Sequence, residues 1–338
     1  MSNRFLAMLV GTACATSMAH AATTVCVTDV AGLQAALSAA EGSTATTVIE
    51  VARGTYHLGG NQLVFNSAAA GQGQLDITGG YNSDCSTIIK NPALTIIDGD
   101  SLSGVLSLTS TAGISVRYLT LQNGLEAQNA GLDITVSGGG IIIDYNIFKN
   151  NHATDERSAL AASISGSGNM HIDGNLVVDN TASSNVGGGE VDNLGTGSTY
   201  ITNNTIANNT ITGTLLNGYG GLFVYGSTTP NVSNNIFWGN TNLDFASYSN
   251  PVLVDNDYGT IGGNQSSNTG ALNVDPQFSG LTDFHLLPTS PLLGLGTLTP
   301  AGGLPTIDVE GLPRSYAGLI DMGAYERGDE IFLNDFDH

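Results

Sequence analysis

Over residues 113–265 apolar and polar positions alternate in short runs, break at a turn, and the pattern then returns. Four segments align on an Asn: Ile143-Asp144-Tyr145-Asn146, Ile172-Asp173-Gly174-Asn175, Ile201-Thr202-Asn203-Asn204 and Val232-Ser233-Asn234-Asn235. An apolar pair or near-pair follows each one (Ile147-Phe148, Leu176-Val177, Thr205-Ile206, Ile236-Phe237), then a further Asn at Asn150, Asn180, Asn208 or Asn240. The aligned Asn residues are spaced by 29, 29 and 31. A degenerate copy precedes them at Val116–Leu119, and another follows at Val254–Asp257. Alternation with a period of two is the signature of strands, and the apolar spacing of helical repeats is missing. Each unit has room for three short strands and three turns. Such a unit cannot bury its inner face alone, so the pattern predicts an all-β solenoid of stacked coils.

The repeated Asn has a physical role in that arrangement. Equivalent positions on successive coils lie about 4.8 Å apart. The amides of Asn146, Asn175, Asn204 and Asn235 can therefore hydrogen-bond in a ladder.

The ends read differently. Arg4, the apolar run Phe5–Ala15 and the small-x-small triplet Ala19-His20-Ala21 form the pattern of a Sec signal peptide over residues 1–21. No later run is apolar and long enough to span a bilayer. Beyond the signal, two cysteines remain, Cys26 and Cys85. In an exported chain they most simply form one disulfide, with two free thiols as the alternative.

Composition narrows the partners. Charged residues are 11% of the chain and Gly numbers 45, which suits short strands joined by tight turns. The net charge of −21 excludes nucleic acid, which needs clustered Lys and Arg. It also argues against a polyanionic glycan, unless a cation such as Ca²⁺ bridges the charges.

The I-x-x-N-x-[IF]-x-x-N repeat resembles the parallel β-helix repeat of the pectin-lyase-like superfamily. The flanks are similar too. Ala31–Leu37, Val48–Val51 and Gly54-Thr55-Tyr56 look like that family's capping helix, first strand and turn, with Asp29 as N-cap and Gly42 as stop. Gly79-Gly80-Tyr81 through Cys85 and Ile96–Gly99 resemble early coils of exported bacterial members. Asp275–Phe278, Asp283–Leu286, Ser290-Pro291, Gly311–Arg314 and Asp321–Glu326 resemble their closing segment, of the choice-of-anchor type. Ile331–Asp337 looks like a short terminal tag. The resemblance implies a right-handed parallel β-helix with an N-terminal capping helix and a C-terminal cap. Its organisation is a signal peptide (1–21), an N-terminal cap with first coils (22–112), repeats (113–265), a closing segment (266–326) and an acidic tail (327–338). The superfamily hosts enzymes and non-enzymes alike, so the resemblance implies fold more than activity.

The marks of its best-known enzymes are missing: the sequence has no Asp-Asp pair, Gly-His-Gly or Arg-x-Lys. In the resembled fold, the first strand of each coil and the loop before it form the carbohydrate groove. Here those loops are 151–158, 181–188 and 210–221. Alternation points Ala161, Ser163, Glu190, Asp192, Phe223 and Tyr225 outward, joined by Asp133 and Thr135. Glu190 and Asp192 share one strand face about 6.5–7 Å apart at the backbone, near the separation of the acid and base of an inverting glycosidase. They are the catalytic candidates, with Arg157 from the preceding loop as a base. Phe223, Tyr225 and Asp133 are the substrate-binding candidates. Arg117, Asp144 and Asp173 form a second column, in which stacked carboxylates raise each other's pKa. Asp144 and Asp173 are weak metal candidates, with Ca²⁺ the conceivable ion and no cofactor otherwise expected. His171 faces the same side as Asp173, and Asp321–Glu326 reads as an end-cap turn.

The expectation is an exported protein, secreted or at the cell surface, that binds a glycan, a polysaccharide or a cell-surface partner without turning it over. The alternative is a polysaccharide lyase or glycoside hydrolase acting on the groove.

Overall fold

The computed structural model describes residues 21–213 and 218–327. The expected signal peptide and acidic tail therefore lie, but for residues 21 and 327, outside the described residues.

One coil shows how the sequence builds the whole. Leu132–Val136, Ile141–Asp144 and Ile147–Lys149 are three short strands facing three ways. Each pairs in parallel with its equivalents one coil before and one coil after. Repetition generates three parallel sheets. Sheet I has ten strands and contains Ile141–Asp144; sheet II has eight and contains Ile147–Lys149; sheet III has eight and contains Leu132–Val136. The chain is a right-handed parallel β-helix.

Every coil sends its alternate residues inward. Leu132, Ile134, Val136, Ile141, Ile143 and Phe148 are fully buried and join one continuous core along the rod. The N-terminal end of that core is closed by the helix Val30–Ala40, which buries Leu33, Ala36, Leu37 and Ala40. Asp29 Oδ1 accepts from Gly32 N at 2.7 Å and fixes the helix start. Cys26 and Cys85 are disulfide-bonded, tying the first strand of sheet I to the turn after Leu75–Tyr81. A disulfide fits an oxidising, extracytoplasmic compartment. Among the described residues no helix is long and apolar enough to cross a membrane.

Two corners of each coil are built alike. A residue in the left-handed region turns the chain, and the next residue points inward. At the first corner the turning residues are Tyr118, Tyr145, Gly174, Asn203, Asn234 and Asp255, with φ between 51° and 66°. Glycine is needed at 174, because a Cβ there would sit 2.8 Å from the Tyr145 ring, itself stacked on Tyr118. The inward residues Asn146, Asn175, Asn204, Asn235 and Asn256 form a buried ladder. Each of the first four donates from both its backbone N and its Nδ2 to Oδ1 of the next, at 2.8–3.2 Å.

A second ladder runs at the other corner through Asn151, Asn180, Asn209 and Asn240, and Asp244 Oδ1 terminates it. The periodic Asn expected at positions 150 and 208 is thus one residue early. Asn150 and Asn208 have φ of 56° and 58° and make the turn, while their successors enter the ladder.

Two further expectations change. The segments expected as groove loops carry a fourth parallel sheet of Leu125–Gln128, His152–Glu156, Thr181–Ser184 and Thr210–Ile211. They have enough equivalent residues to stack, with one bulge near Glu156. Asp321–Glu326 is not a turn over the end of the rod. The chain after 274 runs back along the flank, where Phe284 packs on Leu176, Val178 and Ala207 of sheet II. Ala324 N donates to Thr205 Oγ1, and Asn203 Nδ2 to the Asp321 carbonyl. Leu176, Val178, Ala207 and Ile236 point outward from sheet II, so that stretch of the face must be covered.

Candidate functional site

Sheet III keeps a solvent-facing outer side, with Thr135 and Tyr225 exposed. Its strands Leu160–Ile164, Gly189–Asn193 and Leu222–Gly226 lie side by side in strict register. Asp133, Ala161, Glu190 and Phe223 are cross-strand neighbours in one outward column, and Thr135, Ser163, Asp192 and Tyr225 in the next. Ala161 is the one covered member, at 8% exposure. Its small side chain lies between the longer Asp133 and Glu190.

Arg157 brings charge to this face. It sits at the corner before Leu160–Ile164 with φ of 56°. One terminal nitrogen lies 3.4 Å from Glu190 Oε2. The other lies 3.3 Å from Glu156 Oε2 and donates to Gln128 Oε1 at 3.4 Å. The guanidinium is therefore shared among three side chains from three coils. Arg157 Nε, Glu190 Oε2 and Asp192 Oδ1 are buried atoms without a hydrogen-bond partner.

Electrostatics follow from this crowding. Burial, and then the neighbouring Asp192 charge, push the Glu190 carboxyl up to about 7, against the opposing pull of Arg157. Burial also raises Asp192 and Asp133, and Arg157 opposes both shifts. Glu190 and Asp192 therefore titrate as one interacting pair.

The next two coils supply aromatics. Tyr219 stacks on Phe223 with centroids 4.6 Å apart, and Tyr248 meets Phe223 edge-on at 5.8 Å. The Tyr219 and Tyr248 hydroxyls are 3.1 Å apart. Tyr225 is 48% exposed and Tyr248 54%. Tyr219 and Tyr248 were not legible as part of this cluster. Tyr219 stands in a stretch without periodicity, beside residues 214–217, which are outside the described residues.

The second predicted column lies on sheet I. Arg117 Nε is 3.2 Å from Asp144 Oδ2, and His171 Nδ1 is 3.6 Å from Asp173 Oδ2. Burial, then Asp173, raise Asp144 to about 7. These two acids are cross-strand neighbours, but they lack a third ligand. Among the described residues the one convergent set of three is His57, Asp98 and Asp100, with ligand atoms within 4.8 Å of one another. There Asp98 already accepts from Asp100 N, Gln122 and Asn123, which makes it the acceptor of a hydrogen-bonded corner.

A cluster that the sequence did not mark lies in the C-terminal segment. A cavity of about 390 Å³ is lined by Asp283, His285, Glu310, Tyr325, Glu326 and Arg327, among others. His285 is held at both ring nitrogens, by Asp283 at 2.6 Å and Glu310 at 3.1 Å, and these bonds raise it to about 9. Arg314, 1% exposed, donates to the carbonyls of Gly323, Ala324 and Tyr325. Asp308 and Asp321 accept backbone N–H groups. Most of these bonds run within the segment and lock it to itself.

Comparison with protein-family models, curated proteins and solved structures finds no match to this chain.

Proposed function

We propose that the outer face of sheet III binds a glycan lying across the coils, in an exported protein acting outside the cell or at its surface. One observation carries the reading: the Glu190–Asp192 pair is cross-strand to Phe223 and Tyr225, so hydrogen-bonding acids share one face with a half-buried and an exposed aromatic ring. Aromatic rings pack on the C–H faces of sugars, and carboxylates accept from their hydroxyls. Resemblance of the repeat to the pectin-lyase-like superfamily supports the same face. The C-terminal cavity is the weaker candidate, because His285, Asp283 and Glu310 in it are already paired with one another.

A hydrolase is the second reading. What favours it is that Glu190, whose carboxyl burial and then the Asp192 charge raise to about 7, shares one strand face with a second carboxyl, as an acid–base pair for glycoside hydrolysis would. A panel of glycans and polysaccharides, with and without Ca²⁺, scored for binding and for new reducing or unsaturated ends, tests both. Binding lost in Tyr225→Ala supports the glycan face. Product formation lost in Glu190→Gln and Asp192→Asn establishes the enzyme. Absence of both across the panel contradicts the proposal.

A further inference from the structure

We infer that the glycan taken by this face carries free amino groups, as a polymer of unacetylated amino sugars does. This inference rests on the glycan-binding reading above and names its ligand class.

The acids of the face outnumber the bases. Asp133, Glu156, Glu190 and Asp192 gather around one cation, Arg157. Both terminal nitrogens of that cation are already engaged, with Glu156, Glu190 and Gln128. A uronic-acid polymer would bring carboxylates to a face with no terminal guanidinium nitrogen left for them, on a chain of net charge −21. A neutral glycan would cover the Asp192 and Asp133 carboxylates without supplying a counter-charge, and burying unpaired charge is costly. A protonated amine supplies that charge and an N–H donor together.

Geometry brings the amine to the acids. Asp192 and Tyr225 are cross-strand neighbours, about 4.8 Å apart across the sheet. A sugar stacked on the exposed Tyr225 ring carries its ring substituents over Asp192. The same ring attracts a cation through its π face.

The test compares three hexamers of the same β-1,4 backbone on the full chain: glucosamine, N-acetylglucosamine and glucose, with polygalacturonate as the anionic probe. The glucosamine hexamer should bind about tenfold more tightly than the other two. That preference should shrink to within about threefold in Asp192→Asn. Tyr225→Ala leaves the net charge unchanged, so its loss of glucosamine binding separates the face from attraction of any polycation to an acidic protein; Asp133→Asn is the second variant should Asp192→Asn fail to fold. Equal or tighter binding of the neutral hexamers overturns the amine while leaving the glycan face standing. Glucosamine binding unaltered in Tyr225→Ala overturns the inference as bulk charge attraction. No binding of any probe overturns both readings.

Discussion

A terminal nitrogen of Arg157 lies 3.4 Å from Glu190 Oε2, although the two residues belong to different coils. The guanidinium pulls down the affinity of Glu190 and Asp192 for protons while burial pushes it up. Arg157→Gln should therefore raise both carboxyls further, taking Glu190 above about 7. Carboxyl-detected NMR titration of the parent chain and the variant reads this directly. An unchanged or lowered Glu190 titration would show that Arg157 does not act on the pair.

The same shift sets a pH dependence of stability. Glu190 binds its proton more tightly folded than unfolded, so the folded state is favoured at low pH. That advantage is lost as pH rises from the unfolded value through about 7. Glu190→Gln keeps a neutral donor for Asp192 and escapes the loss. Relative to the parent chain, the variant should gain about 2–3 kcal/mol between pH 4 and pH 8. Urea midpoints at the two pH values measure it, and a constant difference would contradict it.

Asn204 sits mid-ladder and is fully buried. Its Oδ1 accepts from Asn175 N and Nδ2, and its Nδ2 donates to Asn235 Oδ1 and the Ile172 carbonyl. Asn204→Ala leaves those groups without partners in the interior. The expected cost is about 2–5 kcal/mol, read by chemical denaturation. A loss under about 1 kcal/mol would mean the ladder is not a stabilising element.

Breaking the Cys26–Cys85 bond in a Cys26→Ser/Cys85→Ser variant releases a loop spanning 59 residues. Loop entropy predicts a loss of about 4 kcal/mol. Because a solenoid depends on nearest-neighbour stacking, the loss should appear as faster hydrogen exchange in the first coils, with residues after 130 little changed. Uniform acceleration along the rod would contradict this.

The rod was legible in the sequence because its physics is local. Inward strand positions must be apolar, and the corner must place an amide inward, so both recur once per coil. Which Asn of an Asn-Asn pair enters the ladder was not legible. Asn150 and Asn151 suit the left-handed turn equally, and only the stacked coils decide between them. The apolar pairs Ile147-Phe148 and Leu176-Val177 were visible in the sequence, but not that both faces of their sheet are buried. What covers it, Phe284 and the chain around it, is more than a hundred residues away and carries no period. The groove column was legible from alternation alone. Arg157's approach to it was expected from the preceding loop, and its terminal nitrogen does lie 3.4 Å from Glu190 Oε2; its sharing with Glu156 and Gln128 was not legible, because that depends on the turn at residue 157 and on the fourth sheet before it.

Hydrogen exchange in the presence of cellohexaose or the glucosamine hexamer tests the central claim most directly. The account predicts protection confined to peptides covering Leu160–Ile164, Gly189–Asn193 and Leu222–Gly226, abolished in Tyr225→Ala. Protection instead around the His285 cavity, at residues 279–288 and 310–327, or no protection anywhere, would contradict it.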